Sequence, residues 1–410
     1  MDKNEIKEIR QRIKKESATF QLMCGCYVNS EKNIVTEFEK TFVDLPEEEI
    51  HKYIEIASKT LSGKKGDNLI ELPFPMEAES DGGSEKLLIR LRDSGLKDED
   101  IRHEFYNLII NNYARPDNYL ILVYHDIYDV PMKTSDNMEL DDSEDIYDYL
   151  ITAICPVELS KPGIGYYPDS NSFTSLERDW VVGLPESGFL FPAFTERMAD
   201  VHSVLFYTKD TKEPHTELWE DAFQCKSVRT STQKKNTFTS IISEALGDPD
   251  DDKVKDSFAE VESTLNTFLE TEKKIREKDD PIIMTKDDLK PILADSGIDD
   301  MRSERIASKY EAAFQEELPG TSEIIDSKIL KDSGPRLERK DLMKQVSDLN
   351  KKLTESGIVK PDGKEADVIV KVPDDTAEKI TATFIDGQRC LLIPLEGNEE
   401  MMINGEKKDL

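Results

Sequence analysis

Asn118-Tyr-Leu-Ile-Leu-Val-Tyr-His-Asp126, Gly188-Phe-Leu-Phe-Pro-Ala-Phe194 and Val201-His-Ser-Val-Leu-Phe-Tyr207 are the runs whose reading decides the fold. Their β-branched and aromatic residues suit a pleated, packed surface better than a helix. Each run is short and bounded by Gly, Pro, Asn or Asp, so each reads as a buried strand. On either side the chain turns acidic and takes up helical spacings. The expected class is α+β: a β-rich central core flanked by helices, an acidic helical segment and a small C-terminal antiparallel β unit. The expected boundaries are 1–115 for an N-terminal α/β region, 116–247 for the core, 248–356 for the helical region and 365–410 for a C-terminal β-meander.

Two hairpins are expected in the core. One pairs Ile151–Glu158 with Ile164–Tyr167 across Ser160-Lys-Pro-Gly163; the other pairs Phe189–Phe194 with Val201–Thr208. The second connection, Thr195–Asp200, is longer than a tight two-residue turn. Pro192 cannot donate to a ladder and points to an edge or a bulge. The polar stretch Lys133–Glu144 is expected to break the core.

Upstream, Ile6, Ile9 and Ile13 make one apolar stripe on a short helix over 3–15. Thr19–Val28 reads as a strand with Cys24 and Cys26 on one face. A helix follows from Pro46, with Glu47, Glu48 and Glu49 suiting its positive end. A short strand over Asn68–Phe74 and helices over 85–92 and 98–113 complete this region. Downstream of Asp248, Val254, Phe258, Val261, Leu265 and Phe268 recur at spacings of four and three, as do Leu342, Val346, Leu349 and Leu353. Two such stripes can form a coiled-coil-like pair or belong to an ordinary bundle. Thr285-Lys-Asp-Asp288 reads as a helix cap, 303–318 as a further helix, and 321–338 has weak periodicity. Strands are expected at 367–372, 379–385, 389–394 and 401–403, with turns at Asp386-Gly387 and Asn404-Gly405.

The chain carries 86 acidic against 54 basic residues, a net charge of −32 that favours solubility and opposes adhesion to polyphosphate. Its five cysteines are odd in number and scattered, which is no disulfide framework. Neither an apolar leader nor a membrane-length apolar run is present, so the expected setting is cytoplasmic, with no membrane partner. The phosphate loop, metal-finger spacing, nucleophile elbow and dinucleotide fingerprint are all missing, and no metal or cofactor is called for.

Several phrases carry a family resemblance: Cys24-Gly-Cys-Tyr-Val28, Lys133-Thr-Ser-Asp136, Ile154-Cys-Pro-Val157 with Ser160-Lys-Pro162, Arg178-Asp-Trp-Val-Val182, Gly188–Phe194 and Asp200-Val-His202. Together they resemble a bacterial, Firmicutes-type family known as domain of unknown function 4317. The resemblance runs from the N-terminus to about Leu246, with a looser echo in the C-terminal strands. It implies no activity, and no catalytic residue is carried over from it.

Three constellations are candidates for chemistry. Asp200 and His202, two apart in a strand, would share a face, and His125 on a nearby strand would join them for acid–base work or metal binding. The plainer alternative is that Asp200 closes a turn beside a half-exposed His202. Cys24 and Cys26 fit neither a zinc knuckle nor a redox motif, and Cys155 would need a neighbouring base to act as a nucleophile. Lys226, Arg229, Lys234 and Lys235 form a basic island before a helix starting near Thr237, a place to hold an anion or phosphate unless it is a solvated linker.

The expected role is a non-catalytic binding or regulatory protein with a protein partner. One alternative is a hydrolase-like or metal-assisted enzyme using His125, Asp200 and His202. Another is an RNA- or ribosome-associated factor using the basic island, which the net charge disfavours.

Overall fold

Tyr119–Tyr124 lies inside an antiparallel sheet whose two faces are both covered by helices, which is why this run is continuously apolar rather than alternating. The computed structural model describes residues 1–13, 20–80, 82–133, 139–247, 251–275, 282–315, 317–355, 379–394, 401–403 and 406–408. The chain divides into two units, Met1–Asp332 and Ser333–Leu410.

The first unit opens with α1 (Lys3–Arg12), β1 (Leu22–Val28), β2 (Ile34–Thr41), α2 (Glu47–Lys59), β3 (Leu69–Pro73), α3 (Ser84–Asp93) and α4 (Glu99–Asn112). Then come β4 (Tyr119–Lys133), β5 (Glu139–Leu159), β6 (Ile164–Tyr167), β7 (Ser172–Ser175), β8 (Trp180–Val182), β9 (Ser187–Phe191), β10 (Ala193–Thr195), β11 (Met198–Asp200) and β12 (Ser203–Thr208). The main sheet has the order β2-β1-β4-β5-β9-β12-β3, with β8 added against β5. It draws strands from both sides of residue 116, so the N-terminal region and the central core are built around one sheet.

Alternation along β4 assigns the faces. Ile121 and Val123 pack with Cys24 and Cys26 under Leu88 and Leu91 of α3 and Phe105 and Ile109 of α4. Leu120, Leu122 and Tyr124 pack with Met23 under Ile6 and Ile9 of α1 and Ile54 and Ala57 of α2. Each such large side chain contributes about 1.5–3 kcal/mol. The covering helices start where the sequence caps them: Asp2 bonds the Asn4 and Glu5 amides, and Asp98 those of Asp100 and Ile101. At the edge pair, Gly25 stands opposite Phe38, whose ring lies where a β-carbon would be.

The strand pairing departs from expectation in three places. Ile164–Tyr167 pairs with β7 rather than with Ile151–Glu158, because β5 is already flanked by β4 on one side and by β9 and β8 on the other. The polar stretch Lys133–Glu144 breaks the core only in part: β4 ends at Lys133, but Glu139–Glu144 belongs to β5, which pairs back to Lys133 opposite Glu139. β9 and β12 do pair, Leu190 opposite Leu205, but Pro192 separates β9 from β10, and β10 returns as β11 through a two-residue turn. Glu196 and Arg197 occupy that turn at φ 53° and 60°, the left-handed pair that a tight hairpin demands. Neither is Gly or Asn, so composition does not signal the turn; Arg197 is held there by Glu8 Oε1 at 3.0 Å and Pro131 O at 2.8 Å.

The remainder of this unit is helical: α5 (Ser231–Leu246), α6 (Asp252–Ile275), α7 (Lys286–Asp295), α8 (Asp300–Phe314) and α9 (Thr321–Ile324). Thr285 and Asp288 cap α7 reciprocally, as their spacing predicts. Phe258, Val261 and Leu265 of α6 pack with Phe238, Ile242, Leu289, Ile306 and Tyr310 from α5, α7 and α8. Thus the α6 stripe is filled within a bundle. The last helix, α10 (Ser327–Glu355), runs into the second unit, where Leu342, Val346 and Leu349 are exposed.

The second unit also holds the hairpins β13 (Thr381–Ile385) with β14 (Gln388–Leu392) and β15 (Met401–Ile403) with β16 (Glu406–Lys408). Asp386 and Gly387 turn the first of these at φ 50° and 81°, as Asp-Gly predicts. The strand expected at 367–372, the turn at 404–405 and residues 134–136 of the family phrase lie outside the described residues.

Candidate functional site

His125, Asp200 and His202 do not converge. His125 is 5% exposed on β4; its Nε2 lies 2.8 Å from Asp148 Oδ1 on β5, and its ring faces Gly95 just beyond α3. The neighbouring Asp126 turns to the opposite face, where Arg12 Nε donates to it at 3.0 Å and the Tyr149 hydroxyl at 2.8 Å. Asp200 and His202 do not share a strand face, because the chain turns between β11 and β12. Asp200 Oδ1 accepts the His202 backbone N–H at 3.1 Å and closes that turn. The His202 imidazole side chain is 64% exposed, with Nδ1 3.0 Å from Glu85 Oε1 in the first turn of α3. The two histidines therefore mark opposite ends of α3, and ten residues at about 1.5 Å rise put them roughly 15 Å apart. Shared proton transfer needs polar atoms within about 3 Å or one bridging water. Among the described residues no three His, Cys, Asp or Glu side chains come together to hold a metal ion.

The basic island is divided by the fold. Lys234 is buried, with Nζ 2.7 Å from Glu317 Oε1 and 3.0 Å from Glu323 Oε2; Lys235 Nζ lies 3.4 Å from Asp326 Oδ2. These two lysines stitch α5 to the segment around α9. Arg229 lays its guanidinium over the Phe314 ring at 5.5 Å, and Lys226 is exposed. The start of α5 is also occupied: Thr230 caps it with Gln233, and Asp67 Oδ1 accepts from the Thr232 amide at 2.7 Å. Carboxylates distant in sequence thus satisfy the positive helix end that an anion would use.

The four core thiols are inert. Cys24, Cys26, Cys155 and Cys225 are buried and free, and burial pushes each thiol up to about 12, so none is a thiolate near neutral pH. Cys155 faces the sheet core among apolar neighbours, with Pro156 next in the strand.

A different surface stands out. Nine large apolar side chains are exposed between Leu159 and Leu184, including Ile164 at 76%, Phe173 at 73% and Trp180 at 57%. Singly scattered exposed apolar residues are ordinary, but this segment carries nine along its length, with Tyr166 and Phe173 ring to ring at 5.3 Å. The segment ends in β8, which joins β5 along one side; no strand lies on its other side among the described residues. Beside it runs a groove of about 840 Å³, lined by Tyr53 and Ile56 of α2, Leu120 of β4 and Val181–Leu184. Its rim carries Lys40, Glu48, Glu49, Lys52 and Glu55, one net negative charge. Lys40 Nζ bonds Glu49 at 2.7 Å and lies over the Tyr53 ring at 5.4 Å, and Lys52 bonds Glu55 at 3.0 Å, so the rim is ordered by its own pairs. Arg178-Asp-Trp-Val-Val182 is noticeable in the sequence only as a family phrase. The available signal is its density of apolar residues in a stretch otherwise rich in Gly, Pro, Ser and Asn.

No curated protein matches the chain. The family match, by contrast, reaches well past Leu246, through the helical bundle and the hairpins of the second unit: the chain belongs to the family described as Domain of unknown function (DUF4317), whose model matches residues 1–406.

Proposed function

We propose that this chain is a non-catalytic binding protein that takes a protein partner on the apolar surface of residues 159–184 and the adjoining groove. The observation that carries this reading is the concentration of exposed aromatic and aliphatic side chains beside an open strand edge. Aromatic anchors in concave, partly apolar settings supply most of the energy of protein interfaces. His125, His202, Lys234 and Lys235, which would serve an enzyme or a nucleic-acid binder, are engaged with separate carboxylates instead.

A photo-crosslinking residue in place of Phe173 tests this reading in host-cell extract, with the same residue at exposed Met301 of α8 as control. The expected result is a discrete product from position 173, identified by mass spectrometry, lost when Trp180→Ser is added and absent from position 301. Identical product patterns from both positions would contradict the proposal.

A further inference from the structure

Resting on the binding role just proposed, we infer that the partner binds as an extended segment added as a strand to the open edge of β8, with apolar and basic residues alternating along it. The backbone of β8 is poised for this. Gly183 N donates to Pro156 O at 2.8 Å and Ser160 N donates to Asp179 O at 2.8 Å, which leaves Val181, paired with Glu158, facing β5. Antiparallel alternation then turns the N–H and C=O of Trp180 and Val182 to the open side. An added strand satisfies those groups, and its side chains leave alternately to its two faces.

One face of the added strand looks onto the groove, where Tyr53, Ile56 and Leu184 offer apolar contact. The residues between leave to the opposite face, the one Val181 shares with its partner Glu158, where Glu158 and Asp179 are exposed on a chain whose net charge is −32. Lysine or arginine at those positions is drawn in, whereas glutamate is repelled. The same charge opposes pairing of β8 with a second copy, since two chains of −32 repel. The occupant is therefore another protein's extended, basic-apolar segment.

The test uses a labelled Lys-Val-Lys-Val-Lys-Val-Lys peptide, its Glu-Val counterpart, and the first peptide with its valine amides N-methylated. Fluorescence anisotropy against the full chain should show the Lys-Val peptide binding about ten-fold or more tighter than the Glu-Val peptide. N-Methylation should weaken it by a similar factor, because it removes backbone donors and keeps the side chains. Val182→Pro should do the same: its N–H faces outward, so the ladder to β5 is kept while the edge loses a donor. Equal binding of methylated and unmethylated peptides would overturn the inference, and that comparison needs no variant to fold. Failure of the Lys-Val peptide would overturn it too, while a product crosslinked from position 173 would leave the broader binding role standing; loss of both would remove both. A dimer in light scattering that Val182→Pro dissolves would overturn the choice of occupant.

Discussion

Gly183 donates its backbone N–H to the carbonyl of Pro156 at 2.8 Å, and this bond sets the orientation of β8. Pro156 can accept but has no N–H to return, so the ladder weakens there. The chain leaves β5 through Leu184-Pro185 and rejoins it as β9, where Ser187 stands opposite Ile154. Among the described residues β8 is thereby left as a short strand with one bonded side and one open side. A three-residue edge is short, and what sets it apart from the sheet's other edges at β2 and β3 is the partly apolar groove beside it.

Gly25→Val should destabilise the sheet by about 1–3 kcal/mol, because the Phe38 ring occupies the space a side chain needs. Gly25→Val combined with Phe38→Ala should recover part of the loss in thermal melts. Equal melting of Gly25→Val and wild type would show that the ring moves aside freely.

Leu265 is fully buried on α6, and Leu265→Ala should cost about 2–5 kcal/mol in denaturant unfolding. Phe258→Asp should do worse, since it puts a charge among Val261, Leu289 and Ile306. Leu349→Ala on the exposed face of α10 should change stability by less than about 0.5 kcal/mol. A ranking in which Leu349→Ala matches Leu265→Ala would refute this assignment of the core.

Lys234→Ala should lower stability by about 1–3 kcal/mol, because it leaves Glu317 and Glu323 facing each other without their shared cation. Lys226→Ala, at an exposed position, should have little effect. If chemical denaturation gave the two variants the same midpoint, the lysine would not be a structural clamp.

Glu262 makes stability depend on pH. It is fully buried on α6; burial is the main cause that raises its carboxyl to about 7, opposed by the hydrogen bond from the Asp326 amide and by Lys235. The unfolded chain titrates this group near about 4.3. Between those values the folded state holds the extra proton, so stability from this residue is full at low pH and falls as pH rises toward 7. The loss should be on the order of 1–3 kcal/mol, and Glu262→Gln should flatten that part of the profile. Urea midpoints between pH 4.5 and 8 check it; an unchanged slope in Glu262→Gln would contradict the assignment.

Element types were readable wherever one physical signal dominated. The apolar runs of β4 and β9, the stripe of α6, the cap at Thr285 and the Asp386-Gly387 turn all behave as their local chemistry requires. What escaped reading depends on contacts between distant residues. Glu8 and Arg197, far apart in sequence, hold a tight turn that has no glycine. Lys234 looks like part of a free basic island until Glu317 and Glu323 fold against it. Asp200 and His202 have strand spacing but lie astride a turn, so the period-two rule fails there. The open edge of β8 was illegible for the same reason, since an edge is defined by which strands a fold leaves unpaired.

Residue-resolved hydrogen exchange across β8 tests the central claim most directly. In the free chain the amides of Trp180 and Val182 should exchange about ten-fold or more faster than those of Val181 and Gly183, which bond to β5. Saturation with the Lys-Val peptide should protect Trp180 and Val182 and leave Val181 and Gly183 unchanged. Four equally protected amides in the free chain, or binding that leaves Trp180 and Val182 as fast as before, would contradict the account.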